Sequence, residues 1–118
     1  MKVFDYRDVE PIEDAPGVLR RVVVGEADGA PRFAMRVFEI SPGCSTPHHS
    51  HWWEHEIFVL SGRGVARSQE GDTPISAGTV AYVPPNEVHC FTNTGKALLR
   101  VICCIPVGTA AKCGAPLK

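Results

Sequence analysis

The sequence predicts an all-β fold, a sandwich or barrel built in a single domain. Ten prolines and eleven glycines punctuate the chain every ten residues or so. Between them, no window of helical length carries apolar residues at a period of about 3.6. The intervals are instead short runs rich in β-branched and aromatic residues, bounded by turn formers. A length of 118 residues suits one domain over 1–118, and a 44% hydrophobic composition is enough for a core.

The predicted strands follow in order. VLRRVVV (18–24) and RFAMRVFEI (32–40) flank the turn ADGAP (27–31), and SPG (41–43) closes the second. EIFVL (56–60) and GVARSQ (64–69) are joined through SGRG (61–64), and EGD (70–72) ends the pair. TVAYV (79–83) and VHCFTN (88–93) flank PPN (84–86), where Asn86 stands where a left-handed conformation is needed, a role asparagine tolerates better than most residues. NTG (93–95) leads into the last strand, ALLRVICCI (97–105). The ends, 1–17 and 107–118, read as irregular segments that wrap the body or fray. No internal repeat, low-complexity tract or linker interrupts the unit.

Charge and composition exclude several functions. A formal net charge of −1 gives no field for attracting nucleic acid or anionic lipid, and no run of five like charges forms a binding tail. MKVFDYRDVE (1–10) is too charged for the apolar core of a signal peptide, and no stretch approaches the roughly 20 apolar residues of a membrane helix. The expectation is a cytoplasmic protein with a small-molecule partner. Cys44, Cys90, Cys103, Cys104 and Cys113 include no C-x-x-C pair, so they read as reduced thiols without a zinc knuckle or redox motif.

Four of the five histidines fall within eight positions, in TPHHSHWWEHEIFVLSG (46–62). Alternate strand residues share a face. His49 and His51 therefore point the same way, and the same parity reaches His55 and then Ile57 and Val59, an inward face. His48 has the opposite parity. A lone H-x-H would be a solvated edge, but three histidines of one parity running into an apolar strand point to a metal, for which neutral imidazole is a good ligand. The remaining histidine, His89, sits just inside the strand that returns from the PPN turn.

These two stretches resemble the paired signature motifs of the cupin superfamily. Gly43, His49, His51, Glu56 and Gly62 match the first motif, about 43–62, with one residue fewer before its final glycine. Gly78, Pro84, His89 and Asn93 match the second, 78–93, with Asn86 in place of its second glycine. Fifteen residues, 63–77, lie between them, and the resemblance spans roughly 30–106. It implies a small β-barrel or jelly roll of two antiparallel sheets. Within the superfamily, H-x-H-x3-H-E is similar to the motif of small single-domain members that hold a metal by four histidines. That implies His49, His51, His55 and His89 as ligands, with Glu56 outside the coordination sphere.

Four neutral imidazoles leave a divalent ion's charge uncompensated, so such a site attracts anionic or oxygen-donor ligands. Tetrahedral Zn²⁺ would be coordinatively full, whereas octahedral Mn²⁺, Fe²⁺ or Ni²⁺ would keep positions open. The resemblance leans toward Mn²⁺ or Fe²⁺, with Cu²⁺ close behind. Candidate pocket residues are Phe91, which shares parity with His89, then Val101 and Cys103, then Trp53 at the entrance, and Glu56, although its parity is outward. Arg36 is a further basic group on a strand whose inward face is ambiguous. In the last strand, Arg100 facing out turns Leu99, Val101, Cys103 and Ile105 in, and leaves Leu98, Ile102 and Cys104 as a second apolar face that predicts a homodimer. Two functions are compatible with these features: a metal-dependent, dioxygenase-like oxidoreductase acting on a small apolar or aromatic substrate (or a lyase or isomerase), and a non-catalytic metal or ligand-binding module.

Overall fold

The computed structural model describes residues 1–109. They form nine strands: β1 (Ile12–Ala15), β2 (Val18–Val24), β3 (Phe33–Ile40), β4 (His55–Ser61), β5 (Arg63–Ser68), β6 (Gly71–Ser76), β7 (Val80–Val83), β8 (His89–Asn93) and β9 (Leu99–Pro106). Two 3-10 turns, Tyr6–Asp8 and Glu26–Asp28, are the remaining elements. Among the described residues no helix is long and apolar enough to cross a membrane. All strand pairings are antiparallel. They make a six-stranded sheet in the order β1-β2-β3-β9-β4-β7 and a three-stranded sheet in the order β6-β5-β8. The all-β architecture of two antiparallel sheets is the one the sequence predicts.

The core lies between the sheets. Residues of β9 alternate strictly, with Leu99, Val101, Cys103 and Ile105 buried and their neighbours half-buried, as Arg100 on the outer face required. Ala34, Phe38 and Ile40 of β3 and Ile57 and Val59 of β4 meet them, and Ile75 and Phe91 close the core from the small sheet. Each fully buried aliphatic side chain contributes about 2 kcal/mol. β4 passes into β5 through Gly62 alone, whose φ is 90°. A Cβ there would lie 2.6 Å from the Leu98 carbonyl oxygen, so only glycine fits. Asn86 adopts the left-handed conformation expected of it, at φ 70°.

Two strands lie where the sequence reading had none. β1 forms inside the segment read as irregular, and β6 begins at Gly71, within EGD. Both are edges, β1 of the large sheet and β6 of the small one. An edge strand needs no apolar alternation, and Pro74 is tolerated in β6 because an edge residue can do without its amide donor. Tyr6 ties the N-terminal segment to the outer face: its hydroxyl donates to Glu39 at 2.5 Å and accepts from Arg100 at 3.2 Å. Glu39 also accepts from Arg21 at 2.8 Å. Val107–Thr109 is a turn, while the rest of the C-terminal end, including Cys113, lies outside the described residues.

Asn93 joins three segments from a position with no exposed surface. Its side-chain amide donates to the carbonyls of Ile40 (2.7 Å) and Ala97 (2.8 Å), and its oxygen accepts from the Gly95 amide (2.8 Å). The irregular stretch between β3 and β4 is thereby held against β8. Gly43 donates to the Asn93 carbonyl at 3.0 Å and Thr46 to that of Phe91 at 2.9 Å. This ribbon carries the histidines to the site.

Candidate metal centre

His49 and His89 face each other across the ribbon and β8. The His89 amide donates to the His49 carbonyl at 2.9 Å, and the His49 amide to the His89 carbonyl at 3.2 Å. This antiparallel pair sets their rings side by side, with centroids 5.0 Å apart. Two residues on, the His51 carbonyl accepts from the Asn86 amide at 2.7 Å, so the left-handed turn also fixes the ribbon. The ring nitrogens of His49, His51 and His89 lie within 4.8 Å of one another. His55, at the start of β4, packs beside them, its centroid 4.4 Å from His51 and 5.0 Å from His89. His48 is exposed.

Hydrogen bonds orient two of the rings. His51 Nδ1 lies 2.7 Å from the Trp53 carbonyl, and His89 Nδ1 lies 2.8 Å from that of Glu87. A carbonyl accepts only, so each Nδ1 carries the proton and each Nε2 keeps a lone pair. His55 is placed differently. Its Nδ1 is 2.7 Å from Cys103 Sγ and 3.3 Å from Arg36 Nη2, and its Nε2 is 2.5 Å from His51 Nε2. The guanidinium can only donate, which favours a proton on His55 Nε2, shared with His51. Coordination through His55 Nε2 requires that proton to move to Nδ1, facing the Cys103 sulfur.

Burial governs the protonation of the cluster. Desolvation, then the charge of neighbouring rings and of Arg36, pulls His49 down to about 4. Desolvation likewise pulls His51 to about 4 against the hydrogen bond to Trp53, which favours the charged ring. His55 and His89 are lowered by the same leading cause. The rings are therefore neutral at pH 7, the form that binds metal. Convergent neutral nitrogens with oriented Nδ1 atoms fit a divalent transition ion.

The histidines line a cavity of about 560 Å³, open solvent at its mouth included. Phe91, Val101, Cys103 and Trp53 are in its wall. Trp53 does not cap the entrance. It is buried and stacks on His51, with centroids 4.3 Å apart and planes 11° from parallel. Glu56 is a correction to the pocket candidates. It is exposed on the outer face of β4, in register with Tyr82 and Cys104, because His55 beside it takes the inward position.

Arg36 resolves to the inside. It is 2% exposed and lines the cavity, with its guanidinium carbon 4.9 Å over the Phe38 ring. The signal for this was present in RFAMRVFEI: a charged Glu39 facing out obliges Arg36, Phe38 and Ile40 to face in. Phe38 shares that parity and also lines the cavity, as does Thr46, which carried no sequence signal. Cys44, Cys90, Cys103 and Cys104 are free thiols, and burial raises the pKa of Cys90 and Cys104.

A family model described as "Cupin domain" matches residues 36–105. The oxalate-binding protein of Thermotoga maritima is 37% identical over 68 residues, 57% of this chain and 56% of that protein. The chain spans about half the length of the curated relatives it matches. Among solved structures, a polyketide cyclase from Streptomyces resistomycificus superposes with a TM-score of 0.81 at 32% identity, covering 90% of this chain and 79% of its own. A predicted oxalate decarboxylase from Thermotoga maritima gives 0.76 at 28% identity, covering 90% of this chain and 99% of its own.

Proposed function

The chain belongs to the cupin family, and from that premise we propose that it is a metal-dependent enzyme acting on a small organic molecule, most closely a dioxygenase-like oxidoreductase. The observation that carries this reading is the convergence of the His49, His51 and His89 nitrogens within 4.8 Å inside an open, largely apolar cavity. These three residues would hold one divalent ion, with His55 as fourth ligand. Mn²⁺ or Fe²⁺ is preferred because an octahedral ion keeps positions open beside four imidazoles, while Cu²⁺, Ni²⁺ and Zn²⁺ share the donor preference. Bound there, the ion would supply Lewis acidity and, as iron, manganese or copper, redox chemistry.

The chain's own residues position and shield. The Trp53 and Glu87 carbonyls fix the rings of His51 and His89. Phe38, Phe91 and Val101 limit water around the reacting molecule. Asp14, the one carboxylate among the described residues lining the cavity, is held by Arg20 at 3.0 Å and is poorly placed to act as a base. That favours oxidation over proton transfer. The likeness to a polyketide cyclase supports a second, redox-neutral reading, cyclisation at the same ion. The likeness to an oxalate-binding protein supports a third, binding without turnover. Anaerobic purification, metal analysis, and O₂-consumption assays with aromatic and diketone substrates separate them. Metal-dependent O₂ uptake supports the oxidoreductase, and product formation without O₂ uptake supports the cyclase. Ligand binding with neither leaves the binding module.

We also propose a cytoplasmic homodimer. On the outer face of the large sheet, Phe58, Val80 and Tyr82 are exposed beside half-buried Ile102 and Cys104. Ile102, Phe58 and Val80 stand in one row across three strands, an apolar surface suited to a second copy.

A further inference from the structure

The rings of His51 and His89 are set by backbone carbonyls, which no side-chain substitution removes. His55 is set by side chains. Cys103 stands on β9 in register with Arg36 of β3 on one side and Ile57 of β4 on the other. His55 lies two residues before Ile57 and so shares its face. This row puts the Cys103 sulfur 2.7 Å from His55 Nδ1 and 3.0 Å from Arg36 Nη2, in a residue that is 1% exposed. Arg36 also lies 3.3 Å from His55 Nδ1, but a guanidinium only donates and cannot receive a proton from the ring. The sulfur can accept one.

A neutral His55 that offers its Nε2 lone pair to a metal carries its proton on Nδ1, where it faces this sulfur. We propose that Cys103 is the positioning residue for the fourth ligand: its sulfur accepts from His55 Nδ1 in the metal-loaded protein and holds the ring in the tautomer that coordinates. The Arg36 hydrogen bond to the same sulfur fixes it in place. The ring is neutral in both tautomers, so only the place of one proton changes. With the acceptor present, four imidazoles converge. Without it, His55 keeps its Nε2 proton toward His51, three imidazoles converge, and an octahedral ion has one more position open. The inference rests on the four-histidine reading above and adds the residue that decides it. A cysteine that merely filled the core would act on stability and not through His55.

The test uses the full chain and Co²⁺, whose visible spectrum reports its ligands, with affinity read by competition with a chromogenic chelator. Cys103→Ala should bind Co²⁺ roughly tenfold more weakly than the wild type, with the spectrum of His55→Ala. Cys103→Ser, which keeps an acceptor at nearly the same size, should bind more tightly than Cys103→Ala. Cys103→Val, which fills the space and removes the acceptor, takes the place of Cys103→Ala should that variant fail to fold. In a His55→Ala background, Cys103→Ala should change affinity by less than about twofold, because its effect runs through that ring. The inference is overturned if Cys103→Ala binds as tightly as the wild type while His55→Ala does not. It is equally overturned if Cys103→Ser loses as much as Cys103→Ala, or if the loss persists in the His55→Ala background. Failure of the underlying reading shows separately, as His55→Ala that binds as tightly as the wild type, or as wild-type protein that takes up no Co²⁺.

Discussion

His51 and His55 meet nitrogen to nitrogen, with their Nε2 atoms 2.5 Å apart. Two lone pairs cannot face each other at that distance, so in the metal-free protein a proton lies between them. His51 cannot supply the proton while its Nδ1 donates to the Trp53 carbonyl, which places it on His55. His55 is thus the residue whose tautomer decides whether three or four histidines converge. With His55 as fourth ligand, His55→Ala should lower metal affinity by at least about tenfold, read by competition with a chromogenic chelator. Unchanged affinity would leave a three-histidine centre.

The depressed pKa values make acid the weak side of the metal-free protein. Burial holds His49 and His51 down at about 4 in the folded protein, against the ordinary 6.5 of an imidazole in the unfolded chain. Between those values the unfolded chain binds more protons, so stability rises with pH. Thermal melts of the metal-free protein should show Tm falling as pH drops from 6.5 toward 4 and levelling below. The same shifts move proton competition for the metal to lower pH than the value near 6 that free imidazole suggests. A flat Tm across this window would show that the rings are not buried neutral.

Asn93→Ala removes one side chain and strands the Ile40 and Ala97 carbonyls and the Gly95 amide. The expected loss is about 2–4 kcal/mol, a drop in Tm on the order of 10 °C. Urea denaturation checks it. A change under about 0.5 kcal/mol would mean that water replaces these bonds without cost.

The outer apolar row should carry the dimer. Val80 is 73% exposed and Tyr82 60%. A Phe58→Glu and Tyr82→Glu double variant should be monomeric by light scattering at micromolar concentration, with its metal content intact. A wild-type monomer under the same conditions would remove the dimer from the account.

Strand parity made much of the site legible in the sequence. Because alternate residues share a face, His55 could be aligned with Ile57 and Val59, and Phe91 and Cys103 set inward on their strands, whereas His49 and His51 lie on the irregular ribbon, which an isolated bridge to His89 holds in place. Parity has no purchase on irregular backbone, so the burial of Trp53 against His51 went unread; its ribbon is shaped by pairing with β8, forty residues away in sequence. Arg36 was left ambiguous because a charged residue is expected outside, and only the fixed outward position of Glu39 contradicts that. β1 and β6 were missed because edge strands rich in Glu, Asp and Pro carry no apolar alternation. The proton arrangement of His55 depends on Arg36 and Cys103, contacts made across the fold and invisible in any local pattern.

The proposed role of the histidine cluster is to hold one transition-metal ion. Metal-free protein titrated with Mn²⁺ or Fe²⁺ under anaerobic conditions, then desalted and assayed by elemental analysis, tests it most directly. About one ion per chain should remain in the wild type and in His48→Ala, whose ring is exposed, and close to none in His51→Ala or His89→Ala. Wild-type protein that retains no ion, or His51→Ala and His89→Ala variants that retain as much as the wild type, would contradict the account.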